Sequence, residues 1–513
     1  MTVALIIALS AGCTLRQTTQ AEHAWQQRAL AFQATVADLT GPTMEGRGAG
    51  TAGLERARDY LVNHMMSVGL LPAFGRGHST AYTQRLEIDL GVTVATQSLA
   101  IGNGHPFNAG VDFNAMGLSA NGFFSGQAVF VGYGIEAHGY NSFASLGENA
   151  LKGKVAVAFR YEPITDRGDS RWADEDEKSY GGWSSASFFS NKAKWAAQRG
   201  AAALLIVNPP SHGNSSSLLS TQRTAQTKSA LVVMHLSQRA FEQLLAGHSD
   251  QPRILAKQLQ RRADRGQTDT VELPEVSGRV ELEHSKVTIS NVAGVVPGRG
   301  QLAHEAVIIG AHYDHLGYGR VGSVAKQQVI HPGADDNASG VAAMLLLAKE
   351  LANDEVALRR TVIFIAFAGE EHGLLGSAHL VNHLDELHIT PQQIAAMINL
   401  DMIGRLRDDQ LVVFGVSSGD RWKQLLRRAN RQTNLRLRFG KSAIGPSDHL
   451  HFYTKNIPVL HFFTAMHSDY HRPSDTIDKI NAIGGAKIIT LIEALISELA
   501  GDPRRLEFVK DAQ

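Results

Sequence analysis

Five short segments in the second half of the chain carry side chains that can bind metal ions. Each places carboxylates or imidazoles at the end of an apolar run or a few residues away from one. The segments are AHYDH (Ala311–His315), GADDNASG (Gly333–Gly340), FAGEE (Phe367–Glu371), INLDM (Ile398–Met402) and DYHRPSD (Asp469–Asp475). A carboxylate that is buried beside such a run is costly unless it has a partner, and a metal ion is an effective one. The segments therefore predict a metal-dependent enzyme.

The strands that precede these segments should bring several of them to one edge of a sheet. His312 follows VIIGA, Glu370 and Glu371 follow IFIAFAG, and Asp401 ends MINLD. In open α/β sheets, ligands gather at the carboxyl ends of the strands. His471 comes several residues after its strand, and Asp335 lies just ahead of a helix. A helix cap or a core histidine explains one such residue alone, but not two histidines and four carboxylates at the same edge of one sheet, so the sequence predicts a metal site there.

The pair Glu370-Glu371 can divide two tasks. Adjacent side chains at a strand end diverge, so one glutamate can bind metal while the other faces the metal-bound water as a general base. Asp314 lies two residues beyond His312, where it could accept the second imidazole proton and fix the tautomer.

The strands and helices that must position these residues are predicted from Val276 onward, where they alternate along the chain in α/β fashion. Continuously apolar strands such as TVIFIAFA predict a sheet that is covered by helices on both faces. The predicted strands are Ala306–Gly310, Thr361–Ala368, Ala395–Leu400, Gln410–Phe414 and Ile457–Phe463, and the predicted helices are Ser339–Asn353, Arg421–Thr433 and Gly485–Ala500.

A separate β-rich domain is predicted in the middle of the chain. Between about Phe107 and Val271, short apolar runs such as QAVFVGY and KVAVAFR are separated by polar stretches rich in glycine and serine. The predicted organisation is a signal segment and tail at 1–22, the first part of a catalytic domain at 23–106, the middle domain at 107–271 and the main catalytic part at 272–513.

Composition excludes some functions and suggests a compartment. The chain has 49 basic and 49 acidic residues, so no basic field favours nucleic acid. Its single cysteine, Cys13, excludes an intramolecular disulfide framework. The apolar run Val3–Gly12 is too short to span a bilayer and ends in small residues before Cys13, which resembles a bacterial lipoprotein signal. We therefore expect an exported protein of a bacterium, either periplasmic or attached to the membrane through a lipid on Cys13. An ordinary signal peptide is the alternative.

The segments HYDH, GADDNASG, GEEHGLLGS, NLDM and YHRPSDT resemble the motif series of the M28 family of zinc aminopeptidases. GQAVFVGYG and LKGKVAVAF resemble a protease-associated (PA) domain. The resemblance implies a mixed central sheet of the zinc exopeptidase type with an inserted PA domain. It also implies two zinc ions, with cobalt or manganese as alternative metals, and peptide substrates with a free N-terminus.

The resemblance further implies a role for each residue. Asp335 would bridge the two zinc ions, with a cis peptide bond between Asp335 and Asp336. The first ion would be completed by Glu371 and His471, and the second by His312 and Asp401. Glu370 would be the general base that acts on a metal-bridging hydroxide, Asp314 would orient His312, and Tyr470 would stabilise the oxyanion.

Several alternatives stay open at this point. Gly415–Gly419 matches the G-x-S-x-G nucleophile elbow, so a serine esterase that uses Ser417 and Asp448 competes with the metallopeptidase. An M28-type carboxypeptidase, a glutaminyl cyclase and a receptor without enzymatic activity are further alternatives. The sequence predicts no oligomeric state.

The histidines near the last strand are also ambiguous. Of His461, His467 and His471, only one should bind metal, and the family pattern favours His471. His449 could line the site or pack behind it.

Overall fold

A computed structural model describes residues 22–510, except 77–78, 103, 148, 166–168, 173–182, 212–217, 220–227, 268, 320–321, 326–327, 354–357 and 441. The predicted signal segment and Cys13 lie outside the described residues. None of the described helices is long and apolar enough to cross a membrane.

The chain divides into two compact units. Unit 1 comprises Met1–Ile88 and Val287–Gln513, and unit 2 comprises Asp89–Lys286. The middle unit therefore begins earlier and ends later than the sequence boundaries at 107 and 271. The long strands that run through each junction account for this difference, because they show no break in composition where one unit gives way to the other.

The helices and strands are numbered in chain order. The helices are α1 (residues 22–40), α2 (Ala52–Ser67), α3 (Phe189–Gln198), α4 (Gln238–Leu245), α5 (Pro252–Asp264), α6 (Gly340–Asn353), α7 (Leu375–Asn382), α8 (Trp422–Ala429), α9 (His449–Tyr453) and α10 (Ala482–Gly501). The strands are β1 (Leu71–Pro72), β2 (Phe74–Arg76), β3 (Ser79–Ala81), β4 (Thr83–Ile101), β5 (His105–Pro106), β6 (Phe113–Ala115), β7 (Gly122–Phe130), β8 (Glu136–Ala137), β9 (Tyr140–Asn141), β10 (Val155–Phe159), β11 (Ala203–Val207), β12 (Val232–Leu236), β13 (Val271–Val296), β14 (Ala306–His312), β15 (Thr361–Phe367), β16 (Ile394–Leu400), β17 (Gln410–Phe414), β18 (Arg436–Phe439) and β19 (Val459–Phe463).

Unit 1 is built on a mixed sheet. Its strands follow the order β18-β17-β19-β16-β14-β15, and the end of β13 pairs with β15. The strands β15, β14, β16 and β19 are mutually parallel. Strand β17 is antiparallel to β19 and parallel to β18, and the end of β13 is antiparallel to β15. The predicted mixed sheet is confirmed.

Helices cover both faces of this sheet. On one face, Leu380 of α7 and Phe452 of α9 join Ile308 in a buried cluster. Successive strand residues point to opposite faces, and Val307 and Ile309, which alternate with Ile308, are also fully buried. Helices α6 and α10 contact the same strand. The near-continuous apolar strands follow from this burial on two sides.

Unit 2 has its own parallel sheet. Strands β7, β10, β11 and β12 are parallel neighbours, with β6 antiparallel to β12 and the start of β13 antiparallel to β7. Two separate apolar clusters pack against this sheet, one of them centred on Phe130, Phe159 and Phe241. The unit therefore has a hydrophobic core of its own.

Candidate metal centre

The carboxyl ends of three parallel strands meet at one edge of the unit 1 sheet. Strand β14 lies between β15 and β16, and its last residue, His312, is opposite Phe367 of β15. Glu370 and Glu371 follow β15 within a few residues, and Asp401 directly follows β16. This register explains why side chains from distant parts of the sequence reach one place.

One group of donors contains His312, Asp336 and Asp401. The Nε2 atom of His312 lies 3.3 Å from Asp336 Oδ1 and 3.3 Å from Asp401 Oδ1. All three residues could direct one ligand atom to a common metal ion. Burial by itself would lower the pKa of His312, but the charges of Glu370 and Asp401 outweigh it and raise that pKa well above its ordinary value.

A second group lies on the other side of Asp336. Its members are His315, Asp336 and Glu371, with His471 beside them. His471 Nε2 is 3.1 Å from Glu371 Oε2 and 3.4 Å from Asp336 Oδ2. His315 Nδ1 is 2.6 Å from Glu371 Oε1 and 3.9 Å from Asp336 Oδ2. Asp336 thus turns one carboxylate oxygen toward each group.

The structure corrects the choice of Asp335 as the shared residue. Asp335 is buried, but its carboxylate accepts hydrogen bonds from the backbone N–H of Gly404 (2.6 Å) and the hydroxyl of Ser339 (3.1 Å). Its other oxygen lies 3.2 Å from His467 Nε2. Neither metal-binding group includes Asp335. The cis peptide bond lies one residue later than predicted, between Asp336 and Asn337.

The physical reason is a change of direction between neighbouring side chains. Asp336 has a non-helical backbone, with φ −105° and ψ 95°, inside the turn Ala334–Ser339, so its side chain leaves the backbone in a different direction from that of Asp335. The composition of GADDNASG cannot show which aspartate faces the site, because both follow the same apolar context. Only the tertiary position of the turn decides it.

Asp314 is also placed differently from the prediction. Its carboxylate Oδ1 is 4.0 Å from His312 Nδ1, which lies closer to the backbone oxygen of Asp314, at 3.2 Å. The carboxylate instead accepts the backbone N–H groups of Glu370 (3.1 Å) and Glu371 (3.4 Å). Asp314 therefore holds the turn that carries the two glutamates.

His315 is the residue that the sequence analysis missed. It is fully buried, and its Nδ1 contacts Glu371. The signal was present, since His315 ends the AHYDH segment, but its spacing from His312 gave no reason to assign it a role. Its position depends on the turn after β14.

The remaining histidines separate clearly. His471 lies at the second group, whereas His467 contacts Asp335. His461 is near Asn399 and stacks on His449, with ring centroids 4.7 Å apart. Among these three candidate ligands, only His471 reaches the carboxylates of Asp336 and Glu371 in the described part of the chain.

A cavity of about 250 Å³ opens beside the two groups. Glu370 and Tyr470 line it together with His312, Asp336, Asp401 and His471. The rest of the wall is mostly apolar and includes Met402, Phe414, Ile444, Pro446, Phe463 and Met466. The arrangement joins a polar end, rich in metal donors, to an apolar chamber, as small-molecule sites commonly do.

Comparison with known sequences places this centre in a family. Residues 291–496 match the family model described as Peptidase family M28. This part of the chain is similar to peptidase family M28. The M28 segment contains every residue of the two donor groups.

Named relatives and solved structures agree with this placement. Aminopeptidase YwaD of Bacillus subtilis is 27% identical over 232 residues, which are 44% of this chain and 47% of the relative. The match thus spans about half the length of that curated relative. An aminopeptidase from Aneurinibacillus sp. strain AM-1 has a TM-score of 0.56 at 23% identity, covering 96% of this chain and 98% of the other. BSAP, a zinc aminopeptidase from Bacillus subtilis, has a TM-score of 0.50 at 21% identity, covering 92% and 95%. At these identities, the likeness of the structures shows a shared fold.

The alternative nucleophile Ser417 lies apart from the M28 centre. It is exposed in the short turn Val416–Ser418 and does not line the cavity. Across the described residues, no hydrogen bond joins the Ser417 hydroxyl to a histidine. Asp448 is fully buried; burial raises the pKa of its carboxyl group, and the charge of His312 opposes that rise. The pieces of a serine triad are therefore not assembled.

Proposed function

We propose that this protein is a dinuclear zinc aminopeptidase that removes N-terminal residues from peptides. The observation that carries the proposal is the position of Asp336, which shares its two carboxylate oxygens between two groups of donors beside Glu370. Two metal ions held by these groups, with a carboxylate base beside them, would suit hydrolysis of a peptide bond.

The donors fit zinc. One ion would be held by His312, Asp401 and Asp336, and the other by Asp336, Glu371 and His471. Three protein ligands of imidazole and carboxylate type on each ion, with a further position open, are typical of catalytic zinc sites. His315 would hydrogen-bond the second oxygen of Glu371 and so orient this ligand, as groups behind metal ligands commonly do. When bound, the ions would polarise the scissile carbonyl and lower the pKa of the attacking water.

Glu370 is proposed as the base that accepts the water proton and passes it to the departing amine. Burial and the nearby charges of Glu371 and Asp401 raise the pKa of Glu370 well above its ordinary value, with His312 opposing them. A carboxylate with a raised pKa accepts a proton readily, which general-base catalysis near neutral pH needs.

Tyr470 is proposed to donate a hydrogen bond to the developing oxyanion. It lines the cavity, and its ring stacks on His471 with centroids 3.8 Å apart. Burial and the charges of Asp336 and Glu371 raise the pKa of Tyr470, so the phenol keeps the proton that it would donate.

The apolar wall is proposed to receive the side chain of the substrate's N-terminal residue, while carboxylates near the metals hold its free α-amine. Unit 2 is proposed to be a PA domain. Export of the chain, with lipid attachment at Cys13, stays a prediction, which the mass of the mature N-terminus would test.

The decisive experiment is hydrolysis of leucine p-nitroanilide by metal-stripped protein as zinc is returned. We expect activity to rise to a plateau near two equivalents of zinc, with an N-acetylated version of the substrate left uncleaved. Zinc binding without cleavage of either substrate would redirect the proposal to a carboxypeptidase or a cyclase. Failure to bind zinc would overturn the metal assignment itself.

A further inference from the structure

Arg47 is a buried arginine that lies far from the metal ligands in sequence but is tied to their loops. Its side chain is fully buried and donates four hydrogen bonds, all to backbone carbonyl groups. The acceptors are the carbonyl oxygens of Tyr313 (2.8 Å), Leu39 (2.7 Å), Pro332 (2.8 Å) and Gly333 (2.9 Å).

Three of these acceptors belong to the two loops that carry metal ligands. Tyr313 lies directly after His312, and Pro332 and Gly333 lie shortly before Asp336. A guanidinium presents its donors in a rigid planar fork, so one side chain can fix several carbonyl groups relative to one another. Arg47 thus ties the loop after β14 to the loop before α6.

The backbone around Arg47 also pairs with the loop after β14 and packs closely against His331. The carbonyl of Arg47 accepts the backbone N–H of His315 at 3.1 Å, and that of Gly46 accepts the N–H of Gly317 at 3.1 Å. Arg47 has φ 49°, a conformation that residues other than glycine seldom adopt. At Gly46, with φ 60°, an added Cβ would lie 2.4 Å from the carbonyl oxygen of His331. This close fit indicates that the segment is built to hold Arg47 in place.

The charge of Arg47 is compensated at a distance. Among the described residues, no carboxylate lies within ion-pair distance of its guanidinium. The negative charges that act on it most strongly are those of Asp336 and Asp314. Burial lowers the pKa of Arg47 to about 10, so the group stays charged at neutral pH. Burying a charge without a carboxylate in contact with it costs free energy of folding, even where carbonyl groups accept its hydrogen bonds. A role at the metal centre would account for a charged group at this position.

We propose that Arg47 is a positioning residue for the metal centre, whose guanidinium fixes the loop of His312 and His315 against the loop of Asp336. This inference rests on the proposed function, since it concerns how tightly the centre binds zinc. It assigns a role to the N-terminal segment, which contributes no ligand of its own.

Arg360 offers a matched control within unit 1. It is 1% exposed and also donates four hydrogen bonds, to Glu305 and to the carbonyl groups of Leu499, Asp502 and Pro503. None of these partners belongs to a loop that carries a metal ligand. Replacing either arginine with methionine removes a buried guanidinium that donates four hydrogen bonds, and Arg360 differs in that one of its acceptors is the carboxylate of Glu305.

The experiment measures zinc affinity by competition with a chromophoric chelator, for metal-stripped wild type, Arg47→Met, Arg47→Lys and Arg360→Met. Thermal unfolding of the metal-free proteins is measured in parallel. We expect both methionine variants to unfold at a lower temperature, but only the Arg47 variants to bind zinc about 10- to 100-fold more weakly. Lysine keeps the charge but cannot span four carbonyl groups, so Arg47→Lys should share the loss.

Wild-type zinc affinity in Arg47→Met would overturn the inference, and wild-type affinity in Arg47→Lys would show that charge alone matters, which would also overturn it. Failure of the wild type to bind zinc would instead refute the proposed function. Should the variants not fold, hydrogen exchange of the wild type decides. Zinc should slow exchange of the amides of His315 and Gly317, which pair with the Arg47 segment, and of Gly48 beside it. Unchanged exchange at all three would contradict the coupling.

Discussion

The two units place polar side chains at the same position on a parallel sheet, yet only one of them assembles metal donors. In unit 2, Glu162, Asn208 and His235 lie at or near the carboxyl ends of β10, β11 and β12. Glu162 accepts the backbone N–H of Ser184 at 2.9 Å and is also bonded by the hydroxyl groups of Ser170 and Ser184. His235 Nε2 lies 3.2 Å from Asn208 Oδ1. The hydrogen-bond partners of Glu162 and His235 are thus neutral groups rather than further carboxylates, and the Arg160 guanidinium lies 3.4 Å from Asn208 Oδ1.

In unit 1, the corresponding edge carries more carboxylates than neutral hydrogen-bond donors could satisfy. His312 faces both Asp336 and Asp401, and Glu371 is shared by His315 and His471. Within the described part of the chain, both groups that could hold a metal ion lie in this unit. Parallel topology thus supplies an edge where side chains converge, and the surplus of acidic groups makes that edge a metal site.

The largest expected effect separates Asp336 from its neighbour. Asp336→Asn should lose the shared position, so zinc binding should fall below two equivalents and peptidase activity should drop to background. Asp335→Asn keeps an oxygen that can accept the N–H of Gly404, so it should still bind two zinc ions, at a stability cost of about 1–3 kcal/mol. Zinc content and p-nitroanilide hydrolysis measure both. Equal losses in the two variants would reject the assignment of Asp336.

A general base should be needed only at the unit 1 edge. Glu370→Gln should reduce kcat by about 10²- to 10⁴-fold while leaving the zinc content at two equivalents. Glu162→Gln, which alters a buried carboxylate of unit 2, should leave kcat per folded molecule unchanged. Steady-state kinetics on zinc-loaded proteins provide the measurement. A Glu370→Gln variant with normal kcat would exclude Glu370 as the base.

The two edges should also differ in their response to pH. Burial lowers the pKa of His235 to about 3, so this imidazole stays neutral. Burial acts in the same direction on His471, but contacts with Asp336 and Glu371 outweigh it and raise its pKa to about 10. In metal-free protein, protonation of His471 therefore stabilises the fold fully below about pH 6.5, and this contribution disappears as the pH rises through 10.

Zinc must displace that proton from His471. Zinc affinity should accordingly rise from pH 6 to 9, by up to about tenfold per pH unit for each proton displaced. Calorimetry in buffers of different ionisation enthalpy counts the released protons. Zinc binding without proton release at pH 7 would contradict a protonated His471.

A smaller effect is expected from the buried lysine of unit 2. Lys192 is fully buried, bonds the carbonyl of Tyr133, and has a pKa that burial holds well below its ordinary value. Its proton is therefore bound in the unfolded chain but not in the folded one between that lowered pKa and about 10.4. Stability should rise with pH in this window, by at most about 1.4 kcal/mol per pH unit.

The variant Lys192→Met should lose this rise in stability and keep full peptidase activity. Calorimetric melting of wild type and variant from pH 7 to 9 gives the difference. Parallel pH profiles would show that Lys192 is charged in the folded state.

The smallest effect is expected at the alternative nucleophile. Ser417→Ala should leave peptidase and esterase rates within about twofold of wild type, as surface substitutions away from a site usually do. Near-complete loss of activity would support a serine esterase that uses Ser417, and it would contradict catalysis by the metal-binding edge of unit 1.

The fold class and most of the chemistry could be predicted from the amino-acid sequence. Apolar runs of strand length followed by acids or imidazoles predicted the parallel edge, and His312, Glu371, Asp401 and His471 do meet there. These features depend on the order of neighbouring residues along the chain, so they can be recognised in the sequence. The tendency of strands to bury both faces made the runs easy to recognise.

The three-dimensional structure was needed for the details that depend on side-chain direction. It chose Asp336 over Asp335, turned Asp314 toward the backbone of the two glutamates, and brought His315 and Arg47 to the centre. In each case, a turn sets where a side chain points, and neighbouring residues in a turn share the same composition and hydropathy. Contacts between segments that are hundreds of residues apart fix those turns, and nothing in a local pattern encodes such contacts.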